Sequence, residues 1–184
     1  MPGLLPYPPN QTLPDQIHSE ISPDQLTSSS VYKFINLNPK VNSEIYHILS
    51  LEIPPRVLTF TWQLLHDKLA TIDNLQLRGM TLVNRCPLCL LACESATHLA
   101  NHCPFFLEVK QLVFNSLALT IQTTAPTQSL LVDQTISQKH KGILAIICYI
   151  VWRERCTRIF KNCTNTASFL KALILEEWCT LHPN

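Results

Sequence analysis

Hydrophobic residues recur at helical spacing through most of the chain beyond residue 55. The clearest repeat lies in residues 56–69, where the apolar positions share one helical face. This face comprises Leu58, Trp62, Leu65 and Leu69, widened by Val57, Phe60 and Leu64. A two-turn helix is predicted next, because Thr71 suits an N-cap and Gly79 suits a left-handed C-terminal cap. Together these patterns predict two short antiparallel helices that lead into a cysteine-containing loop.

The same periodicity predicts helices in the second half of the chain. One helical face within residues 105–117 carries Phe106, Val109, Val113 and Leu117. Residues 120–138, rich in Thr, Gln and Ser, are predicted to be a linker or surface loop. The C-terminal segment, residues 139–184, is predicted to hold two helices, at 143–160 and 167–178. The predicted fold class is mainly α, a small helical module with an irregular cysteine/histidine knuckle and a C-terminal helical pair.

The N-terminal part of the chain has a different composition. Five of the 13 prolines fall in the first 14 residues, and residues 1–27 are predicted to be a disordered, Pro-rich lead. Two further helices are predicted at residues 26–36 and 42–51, where apolar residues return at helical spacing. Pro54 and Pro55 end the second of these and favour the start of the next helix.

Composition and charge narrow the function classes. Hydrophobic residues make up 46% of the chain and charged residues 15%, which suits a compact core. The strongest apolar run, residues 143–152, is too short for a bilayer, which needs about 20 residues. No basic region followed by an apolar run begins the chain, so the expected location is intracellular, nucleus or cytoplasm, without a membrane partner. Residues 139–184 carry 7 basic and 3 acidic groups, so any attraction to nucleic acid should concentrate there.

Cysteine and histidine residues cluster in the middle of the chain with the spacing of a metal site. Cys86 and Cys89 are separated by two residues, and His98 and Cys103 follow after eight and four more. A Cys-x2-Cys turn directs two thiolates to one point, and three sulfurs with one imidazole form a tetrahedral set that zinc favours. Since four protein ligands leave no open position, the pattern predicts one structural zinc ion and no catalytic metal.

Pro104 bears on how the last two ligands meet. In a continuous helix, His98 and Cys103 would face about 140° apart. A proline after Cys103 disfavours helical geometry at that cysteine, which allows it to turn back towards the metal. Two alternatives stay open from the sequence, because His102 or Cys93 can replace one member of the quartet.

Several spaced motifs resemble a known family. They are Pro54-Pro55-Arg56-Val57, the run from Trp62 to Thr71, Leu77-Arg78-Gly79, Cys86-Pro87-Leu88-Cys89, Glu94 followed by His98-Leu99, and Cys103-Pro104-Phe105. Together they resemble the zinc-binding domain of plant LINE-type (non-LTR) retroelement reverse transcriptases, over roughly residues 26–117. The resemblance implies a zinc-binding domain at residues 28–119 and the same four ligands, Cys86, Cys89, His98 and Cys103.

The resemblance continues more weakly into the C-terminal segment and includes departures. Residues 149–155 and 158–160 are similar to the segment that often joins this domain to an RNase H-like domain. Ala70 replaces a usual proline, Cys156 replaces a usual asparagine, and the tryptophan expected before Pro54 is absent. None of these departures removes a metal ligand.

Catalytic signatures are missing from the sequence. No two aspartates are adjacent, and only three glycines occur, so a polymerase metal pair and a Gly-rich phosphate loop are not expected. The last 45 residues hold three carboxylates, Glu154, Glu176 and Glu177, too few for a two-metal RNase H site. The prediction is therefore a non-enzymatic module derived from a retroelement protein.

Two functions remain for such a module. The first is binding of RNA or DNA through basic residues near the zinc site and in the C-terminal segment. The expected residues are Arg78, Arg85, Lys110, Arg153, Arg155 and Arg158, with Lys161 beyond them. The alternative is a zinc-stabilised structural or protein-interaction domain that docks on a reverse transcriptase or a host protein.

Overall fold

The computed structural model describes residues 50–119 and 125–182. Within these ranges the chain forms six α-helices and one π-helical turn, and no strand. In chain order they are α1 (Pro55–Leu65), α2 (Ile72–Leu77), the π turn (His98–His102), α3 (Pro104–Ser116), α4 (Thr127–Val132), α5 (Gln138–Lys161) and α6 (Ala167–Leu181). The mainly α fold class is confirmed. The predicted lead at 1–27, the predicted helix at 26–36 and nearly all of the one at 42–51 lie outside the described residues.

Helix α1 starts where the sequence predicts, with Pro55 in its first turn, but it buries a different stripe. Its buried residues are Val57, Phe60, Thr61 and Leu64, whereas Trp62 is 42% exposed. The Phe60 ring packs on α5, with its centroid 5.6 Å from that of Tyr149. The periodicity of this segment is compatible with either stripe, and the contact with α5 selects the one that carries Phe60.

Helix α2 ends as its sequence predicts. Gly79 has a φ of +88°, and the Met80 N–H donates to the Leu75 carbonyl, which closes a left-handed C-terminal cap. The connection from α1 is held by Asn74, whose side-chain amide donates to the carbonyl oxygens of Asp67 and Leu69, each at 3.0 Å.

Helices α3, α5 and α6 form the centre of the fold. The predicted apolar face of α3 is buried at Phe106, Val109 and Val113. Helix α5 is buried on all sides over residues 141–148, as the apolar run suggests, and α6 packs against both α3 and α5. Gly142 allows this close packing, because a β-carbon there would lie 3.3 Å from the indole ring of Trp178 on α6.

The segment predicted as a linker contains helix α4. Leu130 and Leu131 are buried, and α4 packs against α5 and the π turn. Three of its six residues are Thr, Gln and Ser, so its composition does not predict a helix with a buried apolar side. The C-terminal helices and the cysteine-containing region share one hydrophobic core. Over the described residues, no helix has the length and hydropathy needed to cross a membrane.

Candidate metal centre

The structure brings Cys86, Cys89, His98 and Cys103 together at one point. Their potential ligand atoms all lie within 4.8 Å of one another. The Sγ atoms of Cys86 and Cys103 are 4.0 Å apart, and Cys89 Sγ lies 3.4 Å from His98 Nε2. In a tetrahedral zinc site, sulfur–sulfur and sulfur–nitrogen distances are about 3.8 Å and about 3.6 Å. The quartet therefore fits one zinc ion with small adjustments.

A tight turn positions the first two ligands. The Leu90 N–H donates to the Cys86 carbonyl at 2.9 Å, and the Cys86 N–H donates to the Ala92 carbonyl at 2.8 Å. Leu90 completes this turn with a φ of +58°, a left-handed conformation that glycine adopts more readily. These bonds place the Cys86 and Cys89 side chains on the same side of the turn.

The π turn and Pro104 position the other two ligands. The Cys103 N–H donates to the His98 carbonyl at 2.8 Å, five residues back, which widens the helix by one residue. Cys103 is extended, with ψ of 120°, and Pro104 begins α3. The expected effect of Pro104 is thus present, because Cys103 leaves the helical path directly before the proline and turns towards His98.

The two alternative ligands lie outside the quartet. His102 and Cys93 are both exposed, and neither belongs to the group of converging ligand atoms. His102 stands four residues after His98, but the π turn changes the angular relation between them from that of an α-helix. Cys93 follows the turn on its solvent side.

The protonation equilibria differ among the members of the quartet. Burial lowers the pKa of His98, which favours the neutral imidazole that binds metals. The hydrogen bond with Cys103 and burial raise the pKa of the Cys86 thiol, while the same bond lowers the pKa of Cys103. Backbone N–H groups in the first turn of α3 also lower the pKa of Cys103, because they stabilise a thiolate at a helix N-terminus.

Helix α4 holds the π turn through polar contacts. The Thr127 hydroxyl donates to the Ala100 carbonyl at 2.7 Å, and the Thr127 N–H donates to Asn101 Oδ1 at 2.6 Å. The Asn101 amide in turn donates to Gln128 at 2.8 Å. These bonds satisfy a carbonyl that the π geometry leaves free and the first N–H of α4. The sequence pattern did not indicate a role for these residues; the only local sign of a helix start is Thr127 directly after Pro126.

Two arginines of helix α5 form hydrogen bonds to the metal-binding region. Arg158 donates to the carbonyl oxygens of Leu88, at 2.8 Å, and Pro87, at 3.3 Å, and its guanidinium lies 4.5 Å from the centre of the Phe105 ring. Arg155 makes two 2.7 Å hydrogen bonds to the buried carboxylate of Glu94. The C-terminal segment therefore supports the turn that carries Cys86 and Cys89.

The basic residues expected on a nucleic-acid surface divide into two groups. Arg78, Arg85 and Arg153 are exposed, and Lys110 is half-buried with its amine 5.9 Å from the centre of the Phe106 ring. Arg155 and Arg158 are not on such a surface, and this corrects the expectation. Their side chains are only 4% and 14% exposed, because both are used for internal hydrogen bonds.

The remaining cysteines stand apart from the quartet. Burial raises the pKa of Cys148 to about 12, so this thiol is a core residue of low reactivity. Cys163 and Cys179 are exposed, and Cys156 is half-buried. None of these three belongs to a metal-binding group within the described part of the chain.

Comparison with known proteins agrees with the geometry. Residues 26–109 match the sequence model of a family described as zinc-binding in reverse transcriptase. The match includes all four members of the quartet, and it supports a reverse transcriptase zinc-binding domain in this part of the chain. No curated protein and no solved structure matches the chain.

Proposed function

We propose that the chain is a non-catalytic, zinc-stabilised structural module that docks on another protein, either a reverse transcriptase polymerase or a host partner. The observation that carries this proposal is the inward position of Arg155 and Arg158. Both guanidinium groups donate hydrogen bonds to acceptors within the protein, so these two arginines stabilise the fold and do not form a basic surface. The motif resemblance supports an origin in a plant LINE-type retroelement.

Zinc has a structural role in this proposal. The quartet joins the Cys86–Leu90 turn to the π turn and to the start of α3. Binding of zinc to small cysteine/histidine sites contributes on the order of 10 kcal/mol to folding. With four protein ligands, the ion would hold no water for catalysis.

Nucleic-acid binding is the second candidate, and one observation favours it. Arg78, Arg85 and Lys161 are exposed, and no carboxylate occurs in residues 74–93. If these three residues each contact one phosphate of a single strand, the affinity should fall roughly twentyfold as the salt concentration rises from about 50 to about 200 mM.

The two candidates are separated by titrating the zinc-loaded full chain with labelled single-stranded RNA and DNA over this salt range. Our proposal expects weak binding that Arg78→Gln with Arg85→Gln leaves unchanged. Binding with the steep salt dependence, lost in this double variant and kept in the control variant Phe169→Ser at an exposed residue of α6, would replace our proposal with the nucleic-acid function.

A further inference from the structure

Six large apolar side chains are exposed beside the metal-binding turn. They are Leu77, Met80, Leu82, Val83, Leu90 and Leu91, with exposed fractions between 43% and 88%. We name this set the turn face. Isolated exposed apolar residues are normal on proteins, whereas a contiguous exposed apolar patch favours an interaction site.

Hydrogen bonds join the two segments that carry the turn face. Arg85 Nε donates to the Leu90 carbonyl at 2.9 Å, and the Cys86 N–H donates to the Ala92 carbonyl at 2.8 Å. Gln76 Nε2 also donates to the Leu82 carbonyl, at 2.8 Å. The loop after α2 is thereby held next to the turn after Cys86, and two members of the quartet, Cys86 and Cys89, belong to that turn.

The charged residues within positions 74–93 have one sign. Arg78 and Arg85 are exposed, neither belongs to an ion pair of the described residues, and residues 74–93 contain no Asp or Glu. A complementary partner therefore presents apolar side chains flanked by carboxylates. The turn face itself is aliphatic and has no aromatic ring on which a nucleic-acid base could stack.

We propose that the turn face binds an acidic amphipathic segment of a partner protein, with leucine-type side chains on the six apolar residues and carboxylates at Arg78 and Arg85. This inference rests on the proposed docking function and locates it. Leu, Val and Met surfaces accept apolar helix faces readily, and interfaces are enriched in Met and Arg. Zinc would be required, because it fixes the turn that carries Leu90 and Leu91.

Two designed helical peptides test the inference on the zinc-loaded full chain. Each has leucine on one face, and the other face is glutamate in one peptide and lysine in the other. Fluorescence anisotropy should show binding of the glutamate peptide and at least about tenfold weaker binding of the lysine peptide. Val83→Ser with Leu91→Ser should weaken the glutamate peptide by about tenfold or more. Phe169→Ser, an equally drastic change at an exposed residue of α6, should leave it unchanged.

Several results would overturn the inference. They are failure of the glutamate peptide to bind, equal binding of the two peptides, or a serine double variant that binds like the parent. Sedimentation provides another: self-association removed by Val83→Ser with Leu91→Ser would assign the face to a second copy of the chain. A reverse transcriptase polymerase domain that binds the double variant as tightly as the parent would support the docking function and contradict its assignment to the turn face. Binding of RNA with a steep salt dependence would contradict both the docking function and the proposed role of the turn face.

Discussion

Glu94 and Arg155 form a doubly hydrogen-bonded ion pair that joins the metal-binding region to helix α5. Both bonds are 2.7 Å long, and the two side chains are 0% and 4% exposed. Glu94 also accepts the first N–H of α2, from Ile72, at 2.9 Å. One carboxylate thus holds three elements, and it is the glutamate of the motif that precedes His98. The role of this motif residue is structural.

Loss of the Arg155 guanidinium should destabilise the protein strongly. Arg155→Met leaves the Glu94 carboxylate buried without its partner, so the free energy of unfolding should fall by about 3–5 kcal/mol. Denaturant titration at fixed free zinc measures this change. The matched control is Arg153→Met, an exposed position two residues away, which should stay within about 0.5 kcal/mol of the parent. A loss below about 1 kcal/mol in Arg155→Met would show that the pair is not closed as described.

Removal of the Arg158 side chain should weaken zinc binding. Arg158 binds the carbonyl oxygens of Pro87 and Leu88, inside the Cys-x2-Cys turn. Loss of outer contacts of this kind typically lowers metal affinity about 10–100-fold. Competition with a chromophoric chelator should show this for Arg158→Met, whereas the exposed neighbour variant Lys161→Met should bind zinc like the parent. Equal affinities in the two variants would contradict the contact.

A glycine at position 90 should stabilise the turn. Leu90 has a φ of +58°, which costs a leucine about 1–2 kcal/mol, and its side chain is 53% exposed. After the entropy that glycine adds to the unfolded chain, Leu90→Gly should raise the free energy of unfolding by about 0.5–1 kcal/mol. Leu91→Gly, at an exposed residue without positive φ, should lower it. Thermal or chemical unfolding of the two variants decides, and a destabilised Leu90→Gly would contradict the left-handed turn.

Stability should decrease on acidification partly through Glu154. Burial acts to raise the pKa of this carboxyl, but the Asn165 N–H, the Arg158 guanidinium and the Asn165 side chain outweigh it and lower the pKa below the ordinary value of 4.5. A depressed carboxyl pKa contributes stability above the ordinary value, and this contribution is lost as pH falls through the folded value.

Glu154→Gln tests this contribution. The parent should lose more stability than the variant between about pH 5.5 and about pH 3.5, because the variant has no carboxylate to protonate. Release of zinc at low pH is common to both proteins, so the difference between them isolates Glu154. Parallel pH profiles for parent and variant would contradict the assignment.

Local chemistry made part of this fold predictable from the sequence. The break in the helix at Cys103 before Pro104 and the left-handed cap at Gly79 each depend on one residue and its neighbours. Both are present in the structure. The arginines of α5 illustrate the opposite case. The sequence pattern predicts that Arg155 lies on a solvated helix face. Its buried partner, Glu94, is 61 residues away and cannot be identified from that pattern. Burial of an ion pair depends on such distant contacts, and helical periodicity does not contain them.

The same limit applies to helices α1 and α4. In α1, the stripes that carry Phe60 and Trp62 are both apolar, and packing on α5 decides between them. In α4, two buried leucines and the hydrogen bonds that Thr127 donates to, and Gln128 accepts from, the π turn compensate for a polar composition. These are tertiary effects that override local propensity.

The most direct test of the account is the zinc content of the purified full chain, measured by elemental analysis without added chelator. We predict one zinc ion per chain in the parent and in Cys93→Ser and His102→Gln, because these two side chains lie outside the quartet. Cys103→Ser should contain none and should lose the cooperative unfolding of the parent. An absence of zinc in the parent, or full zinc content in Cys103→Ser, would contradict the central claim that Cys86, Cys89, His98 and Cys103 form one structural zinc site.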